Sequence, residues 1–391
     1  MNPLRIVIEG WRQTAHSYAL VNQWQCLHLR ARTDVIVHHR DMPFLDPSWQ
    51  QCAEPMTPEL RAQLNDIPSP GGDYVGDVCV RMDFPCRIEP VPGESMCFLF
   101  LTAEQLTVPD YYFSDGLALK DRVLPPSVMF LTPSIWSKEG FVRSGLDPAK
   151  VHVVPHGVAA DIFTPANEAR RRMQRQRLGM DEGFYFLTVG SLASNKGLDL
   201  LIAAFCVLAK ELPQVRLVVK GLDALYDSKL WWQRATERAR KVFPKLSTAT
   251  FQRALDRVIY VGDALDVNSL AGLYQAADCY VSPYRAEGFN IPVLEAAATG
   301  LPVICTEGGP TDEFTTPNFA LRIASQRRMS PDGLSVILEP DVGSLLANMR
   351  YVVNEPAYCR AAGFAARAHV VKNYDWRLVV DGLVKVLKGS L

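Results

Sequence analysis

Residues 283–310 read PYRAEGFNIPVLEAAATGLPVICTEGGP. An apolar run ends near Pro283, and a short loop then carries Glu287. Pro292 stands where a first helical position is expected, because proline lacks only an N–H that would have no intrahelical partner there. The backbone amides of Phe289, Asn290 and Ile291 then point out of a helix N-terminus. That is a ready anion site, suited to a diphosphate. Glu295 lies one turn into the helix. Glu287 and Glu295 are eight residues apart, one on the loop and one on the helix, so they do not share a helical face. Ionised carboxylates are pure acceptors, which is what vicinal hydroxyls need. The pair suits two hydroxyl-rich groups on either side of the phosphates, a ribose and a sugar ring.

The flanking sequence repeats one theme. FYFLTVG (184–190), VRLVVKG (215–221), RVIYVGD (257–263), DCYVSPY (278–284) and PVICTEGG (302–309) are continuous apolar runs of buried-strand type. Between them, LDLLIAAFCVLAKEL (198–212), DVNSLAGLYQAA (266–277) and VLEAAATG (293–300) have helical period. Strands separated by such helices form right-handed parallel βαβ units. The second half therefore reads as a doubly wound sheet, with Gly262 closing one of its strands. The first half reads as a looser version of the same plan. Its strands are expected at Arg5–Glu9, Val35–His38, Val75–Val80, Met96–Leu101, Val128–Leu131 and Val151–Val154. Residues 41–73, rich in Pro, Asp and Gln, read as loop and short helices.

With 391 residues, the chain suits two domains of about 150–200 residues. The expected division is 1–165, 166–372 and a closing helix at 373–391. Hydrophobic residues make up 48% and charged residues 21%, which describes a globular α/β protein and not a disordered one. The net charge of −1 gives no global basic excess for a nucleic-acid partner. The Arg-rich stretch NEARRRMQRQR reads as a solvated helix face. Nine cysteines, an odd number with no CxxC pair, exclude a zinc ribbon and fit buried free thiols of a reducing cytoplasm. MNPLRIVIEGW reads as a first strand rather than a signal peptide. No run reaches the roughly 18 apolar residues of a membrane span. The expectation is a soluble cytoplasmic protein that can rest on a membrane surface. Residues 222–256 interrupt the second domain with no role legible in their composition.

EGFNIPVLEAAATGLPV (287–303) resembles the EX7E signature of glycosyltransferase family 4, whose usual form is E-G-F-G-[LI]-P-x-x-E-A-x-A-x-G-x-P-V. Asn290 replaces the common Gly. FLTVGSLASNKGLDLLIAAF (186–205) resembles the same family's strand–loop–helix, with Lys196 at its phosphate-binding lysine and Ser191 where many members carry Arg. TPSIWSKEGFVRSGLDPAKVHVVPHGVAADIFTP (132–165) resembles the end of its first domain and places His156 in the linker turn. NYDWRLVVDGLVKVLKG (373–389) resembles its closing helix, with Trp376 as the anchor. The likeness covers about 250 residues, most of 128–391.

The family implies a GT-B fold, two Rossmann-like doubly wound domains facing a central cleft. It implies a retaining glycosyltransferase that moves a hexose from a UDP- or GDP-sugar to a hydroxyl acceptor. The acceptor is a glycan, lipid or small molecule, and the setting is surface polysaccharide or glycolipid assembly. By resemblance, Glu287 contacts the donor sugar, Glu295 the ribose, and Lys196 the leaving diphosphate. Ser191, Gly262, Gly288, Phe289, Asn290 and Ile291 complete the donor loops, together with Gly10 after the first strand. Trp11, His16, His156 and Arg285 are candidates for acceptor or diphosphate contact. Thr102 or Glu104 stands nearest to where the family often carries a histidine facing the anomeric centre, and a carboxylate at Glu104 would stabilise an oxocarbenium-like centre. No metal is expected, since Lys196 and a helix N-terminus replace it, and no cofactor beyond the nucleotide-sugar co-substrate. Two other readings stay open, an epimerase- or phosphorylase-like GT-B enzyme and a GT-B protein that binds sugar nucleotide without turnover. Oligomeric state is not legible.

Overall fold

A computed structural model describes residues 2–47, 49, 55–72, 74–330 and 333–391. Cys52 lies outside them, and the other eight cysteines are free thiols, all buried except half-buried Cys359. Two compact units follow the chain, one running to Gly157 and including Tyr374–Leu391, the other Val158–Asn373.

The first unit is built on six parallel strands: β1 (Leu4–Gly10), β2 (Val35–Asp41), β3 (Val78–Met82), β4 (Met96–Phe100), β5 (Val128–Thr132) and β6 (Val151–Val153). Their order is β2-β1-β3-β4-β5-β6. Ile6 faces Val37 on one side and Val78 on the other. Ile6, Val7 and Ile8 are fully buried, as a strand covered on both faces requires. Helices α1 (Ser17–Arg30), α2 (Pro58–Asn65) and α3 (Ile135–Arg143) belong to this unit. The sheet is as complete as its counterpart, so the looseness read from sequence lies only in the long segments after β2 and β4.

The last helix, Trp376–Gly389, buries Trp376, Val379, Val380, Leu383, Val384 and Leu387, one stripe of a 3.6-residue period. It belongs to the first unit, where Lys388 pairs with Asp34 at 2.7 Å. A Cβ on Gly157 would fall 2.6 Å from the Trp376 ring. Glycine in PHGV is thus a packing requirement of that helix.

The second unit also has six parallel strands: β7 (Phe184–Val189), β8 (Val215–Lys220), β9 (Val258–Val261), β10 (Cys279–Ser282), β11 (Val303–Thr306) and β12 (Ala320–Ile323). A hairpin of β13 (Ser325–Met329) and β14 (Val336–Pro340) follows. Its helices are α4 (Glu168–Arg177), α5 (Leu198–Glu211), α6 (Asp223–Tyr226), α7 (Ser228–Val242), α8 (Thr248–Leu255), α9 (Val267–Ala276), α10 (Ile291–Ala298), α11 (Val342–Asn354) and α12 (Pro356–Asn373). The order β12-β11-β10-β7-β8-β9 reverses direction between β7 and β10. Ligands of open α/β sheets bind beyond the strand C-termini at such a switch point.

Strand alternation sorts the two faces. Phe186, Leu217, Val219, Cys279, Val281 and Ile304 pack with α5, α7, α8 and α11. Tyr280 faces the other way and meets Tyr274 of α9 at 5.9 Å. Residues 222–256 are α6–α8, and Ala235, Ala239, Phe251 and Ala254 are part of the first of these layers, with Trp231 and Trp232 against it. The insertion therefore has a core role. The Arg-rich α4 is only partly a solvated face. Arg171 and Arg175 both reach Asp278, at the entrance to β10, while Arg170, Arg172 and Arg177 are exposed.

Candidate active site

At the switch point, two loops are held together by their backbones. Gly197 has φ 67°, and a Cβ there would fall 1.9 Å from the Pro283 carbonyl oxygen. Only glycine lets the turn after β7 lie against the chain leaving β10. Beside that contact, the Arg285 amide donates to the Asn195 carbonyl at 2.6 Å, and Asn195 Nδ2 donates to the Ala286 carbonyl at 3.1 Å. The Arg285 guanidinium is committed to Asp199, at 2.8 and 3.1 Å, and to the Ser194 carbonyl. Arg285, a candidate for acceptor or diphosphate contact, here clamps the two loops. The outcome is that Lys196 Nζ sits 2.8 Å from Glu287 Oε1, 91 residues away in sequence. An ammonium has three donors, and the bond to Glu287 uses one of them.

The helix that follows begins one residue earlier than expected, with Ile291 first and Pro292 second. Asn290 precedes it at φ 83°, ψ 66°, and its side chain does not cap the helix. That is the left-handed region a glycine would occupy, and asparagine is one of the few side-chain residues that visits it. Its Nδ2 donates to Ser282 Oγ at 2.9 Å, which fixes the conformation. The loop shape thus survives the replacement of Gly by Asn. Phe289 stacks on Phe314 at 4.5 Å and anchors the turn from below.

Glu295 lies one turn into α10, and its Oε2 accepts from the Tyr274 hydroxyl at 2.8 Å. Burial pushes its carboxyl up to about 7, against the opposing effect of the Tyr274 hydrogen bond. The folded state therefore holds a proton there that the unfolded state releases near the ordinary carboxylate range. Stability from this group is full below that range and is lost as pH rises toward about 7. Glu295→Gln should accordingly gain on the wild type between weakly acidic and neutral pH. The expected gain is on the order of 1–2 kcal/mol, read as the difference in denaturant midpoints across the pH series. Parallel pH profiles for the two proteins would contradict it.

Residues 170–369 match the family model described as glycosyl transferases group 1, which is more than half of the chain. The chain belongs to the glycosyl transferases group 1 family. Among curated group 1 relatives, it is 35% identical to mannosylfructose-phosphate synthase of Agrobacterium fabrum over 42% of this chain and 34% of that protein. It is 29% identical to a GDP-mannose-dependent monoacylated alpha-(1-6)-phosphatidylinositol monomannoside mannosyltransferase of Corynebacterium glutamicum over 63% of this chain and 58% of that one. The chain thus spans between a third and three fifths of the length of these relatives. Solved structures match along the whole chain. A glycosyltransferase from Rickettsia africae gives a TM-score of 0.68 at 14% identity, covering 100% of this chain and 99% of that one. Alr3699/HepE of Anabaena, solved with UDP-glucose, gives 0.67 at 14% identity, covering 99% and 100%. The fold is of the GT-B type.

The remaining residues predicted for the group 1 site fall into separate places. Ser191 lies on the same turn as Lys196, and its carbonyl accepts from Ser228 Oγ at 3.1 Å. Gly262 lies at the end of β9, where a Cβ would meet Asp223 Oδ2 at 2.1 Å. In the first unit, Gly10 ends β1 with no room for a Cβ, which would sit 2.9 Å from both Asn22 Nδ2 and the Met82 carbonyl. Trp11 is buried and donates Nε1 to the Pro43 carbonyl at 2.7 Å. His16 caps α1 by accepting from the Tyr18 amide at 3.2 Å, and burial lowers its ring to about 4. His156 packs between Phe100 and Trp376, with its ring lowered to about 3 by burial. Burial thus favours the neutral form of both imidazoles. Glu104 is half-buried at the start of the segment after β4, and its carbonyl accepts from Trp136 Nε1 at 3.0 Å.

Sequence reasoning missed Tyr274, which orients Glu295, and Asn195, which joins the loops. It also passed over Lys220, buried at the end of β8. The signal for Lys220 was available in VRLVVKG, a lysine closing an otherwise apolar run. Among the described residues no helix is long and apolar enough to cross a membrane.

Proposed function

We propose that this chain is a retaining hexosyltransferase that moves a sugar from a UDP- or GDP-sugar to a hydroxyl acceptor. The observation that supports it most is the juxtaposition of Lys196, 2.8 Å from Glu287, with an N-terminus of α10 that no side chain caps. In this reading the diphosphate lies at the amides of Phe289, Asn290 and Ile291, with Lys196 on its far side. Glu295 accepts from the ribose hydroxyls, and Glu287 accepts from the sugar while steering Lys196. Negative charge grows on the diphosphate as the glycosidic bond breaks, and fixed donors aimed there stabilise the transition state more than the ground state. The acceptor hydroxyl attacks the anomeric carbon from the leaving-group side. Its proton passes to the departing phosphate oxygen, so the anomeric configuration is kept. In this reading the first unit binds the acceptor, with Glu104 among its candidate residues.

Similarity to a GDP-mannose-dependent phosphatidylinositol monomannoside mannosyltransferase supports a glycolipid or surface-glycan acceptor and work at a cytoplasmic membrane surface. A divalent ion is not required, because Lys196 and the helix N-terminus bear the leaving charge. The test incubates the protein with UDP-, GDP- and ADP-sugars and candidate acceptors, with and without EDTA, and follows nucleoside diphosphate release. Acceptor-dependent release that persists in EDTA supports the proposal. Tight nucleotide binding with no release from any donor would leave a binding protein instead.

A further inference from the structure

Lys220 occupies an expensive position. It is 6% exposed, and its Nζ donates to the adjacent Gly221 carbonyl. Among the described residues no carboxylate lies within ion-pair distance of it. Burying an ammonium out of ion-pair reach of a carboxylate carries a desolvation penalty that an apolar side chain would not. A methionine of similar shape would fill the site at less cost. Burial lowers the group to about 8, with Asp263 and then Asp223 opposing that effect. It is still largely charged at neutral pH.

Its place in the sheet narrows what it serves. Lys220 is aligned with Val189 at the end of β7 and with Val261 at the end of β9. Val219 packs in the α5 layer, so by alternation Lys220 projects to the opposite face. That is the face of Tyr280, Tyr274 and Glu295. Along the C-terminal edge of the sheet the order is α10 N-terminus after β10, then Lys196 after β7, then Lys220 at the end of β8. Two strand spacings, roughly 10 Å, separate the diphosphate cradle from Lys220. A nucleotide whose diphosphate lies at α10 and whose base extends along this edge brings the base to Lys220. The loop opening α9, with Asp263, bounds the far side.

We propose that Lys220 reads the nucleobase of the donor, donating to the exocyclic oxygen of an oxo-base, O4 of uracil or O6 of guanine, and so selecting against adenine. Adenine presents an amino group at that place, and a donor facing a donor leaves both unpaired. This inference rests on the donor site proposed above.

The test is calorimetric titration of the full chain with UDP, GDP and ADP at neutral pH, for wild type, Lys220→Met, Lys220→Gln and Lys196→Ala. The wild type should bind UDP or GDP about 10-fold or more tighter than ADP, the scale of one specific hydrogen-bonding contact to a base. Lys220→Met should bring the preferred nucleotide down to the level of ADP, leave ADP unchanged and melt no lower than the wild type. Lys220→Gln, whose amide both donates and accepts, should narrow the preference from both sides, and it carries the test if Lys220→Met loses its cooperative melt. Lys196→Ala should weaken all three nucleotides alike. A Lys220→Met protein that keeps the wild-type preference, or loses all three nucleotides equally, overturns the assignment, as does a wild type that prefers ADP. A wild type that binds none of the three overturns the donor site itself.

Discussion

Lys196→Ala should lower turnover at saturating donor by about 100- to 1,000-fold, the scale measured when one preorganised donor to a developing negative charge is removed. The loss should appear in kcat more than in KM, because the charge on the leaving diphosphate is greatest in the transition state. The substitution also strips Glu287 of its 2.8 Å partner. With the Glu287 side chain only 10% exposed, losing that partner should cost about 1–2 kcal/mol of stability. Lys196→Ala combined with Glu287→Gln separates the two effects. The double variant should recover the stability and none of the turnover. Wild-type rates in the single variant would remove Lys196 from the chemistry.

Gly197→Ala should cost about 2–4 kcal/mol of folding stability, the range for overpacking a rigid site. A Cβ there falls 1.9 Å from the Pro283 carbonyl oxygen, and a backbone atom held in a sheet loop has no rotamer by which to retreat. Relief requires the two loops to part, which also pulls Lys196 away from Glu287. Turnover should therefore fall together with stability. Gly179→Ala is the matched control. Gly179 also has a positive φ, 63°, but meets nothing within 4 Å, so alanine there should cost only about 1 kcal/mol. Equal costs at the two glycines would mean that backbone conformation alone, and not the approach of Pro283, explains residue 197. Thermal or urea unfolding of the three proteins gives the comparison directly.

Much of this site was readable because the sequence places its parts in contiguous stretches. EGFNIPVLE carries both glutamates, the proline and the turn that opens α10, and local rules of helix starts are enough to arrange them. Eleven strands were likewise visible, since continuous apolar runs mark a sheet covered on both faces. What escaped depended on distance. The Lys196–Glu287 pair spans 91 residues, and the clamp by Arg285 on Asp199 spans 86. A reading of local pattern sees an arginine near an expected phosphate site and keeps it as a candidate for phosphate or acceptor. Only the fold shows that its charge is already used. The surroundings of the histidines were hidden for a related reason. His16 and His156 follow strand ends, where functional residues concentrate, but burial against Trp11 and Trp376 keeps their rings neutral. β12 was missed because Ala320–Ile323 is too short to stand out as a periodic run.

The most direct measurement is a crystal structure of the full chain with UDP or GDP bound. Phosphate oxygens should lie within hydrogen-bonding distance of Lys196 Nζ and of the amides that open α10, with the ribose hydroxyls on Glu295. A nucleotide whose phosphates settle away from that turn, leaving Glu287 and Glu295 untouched, would contradict the donor site.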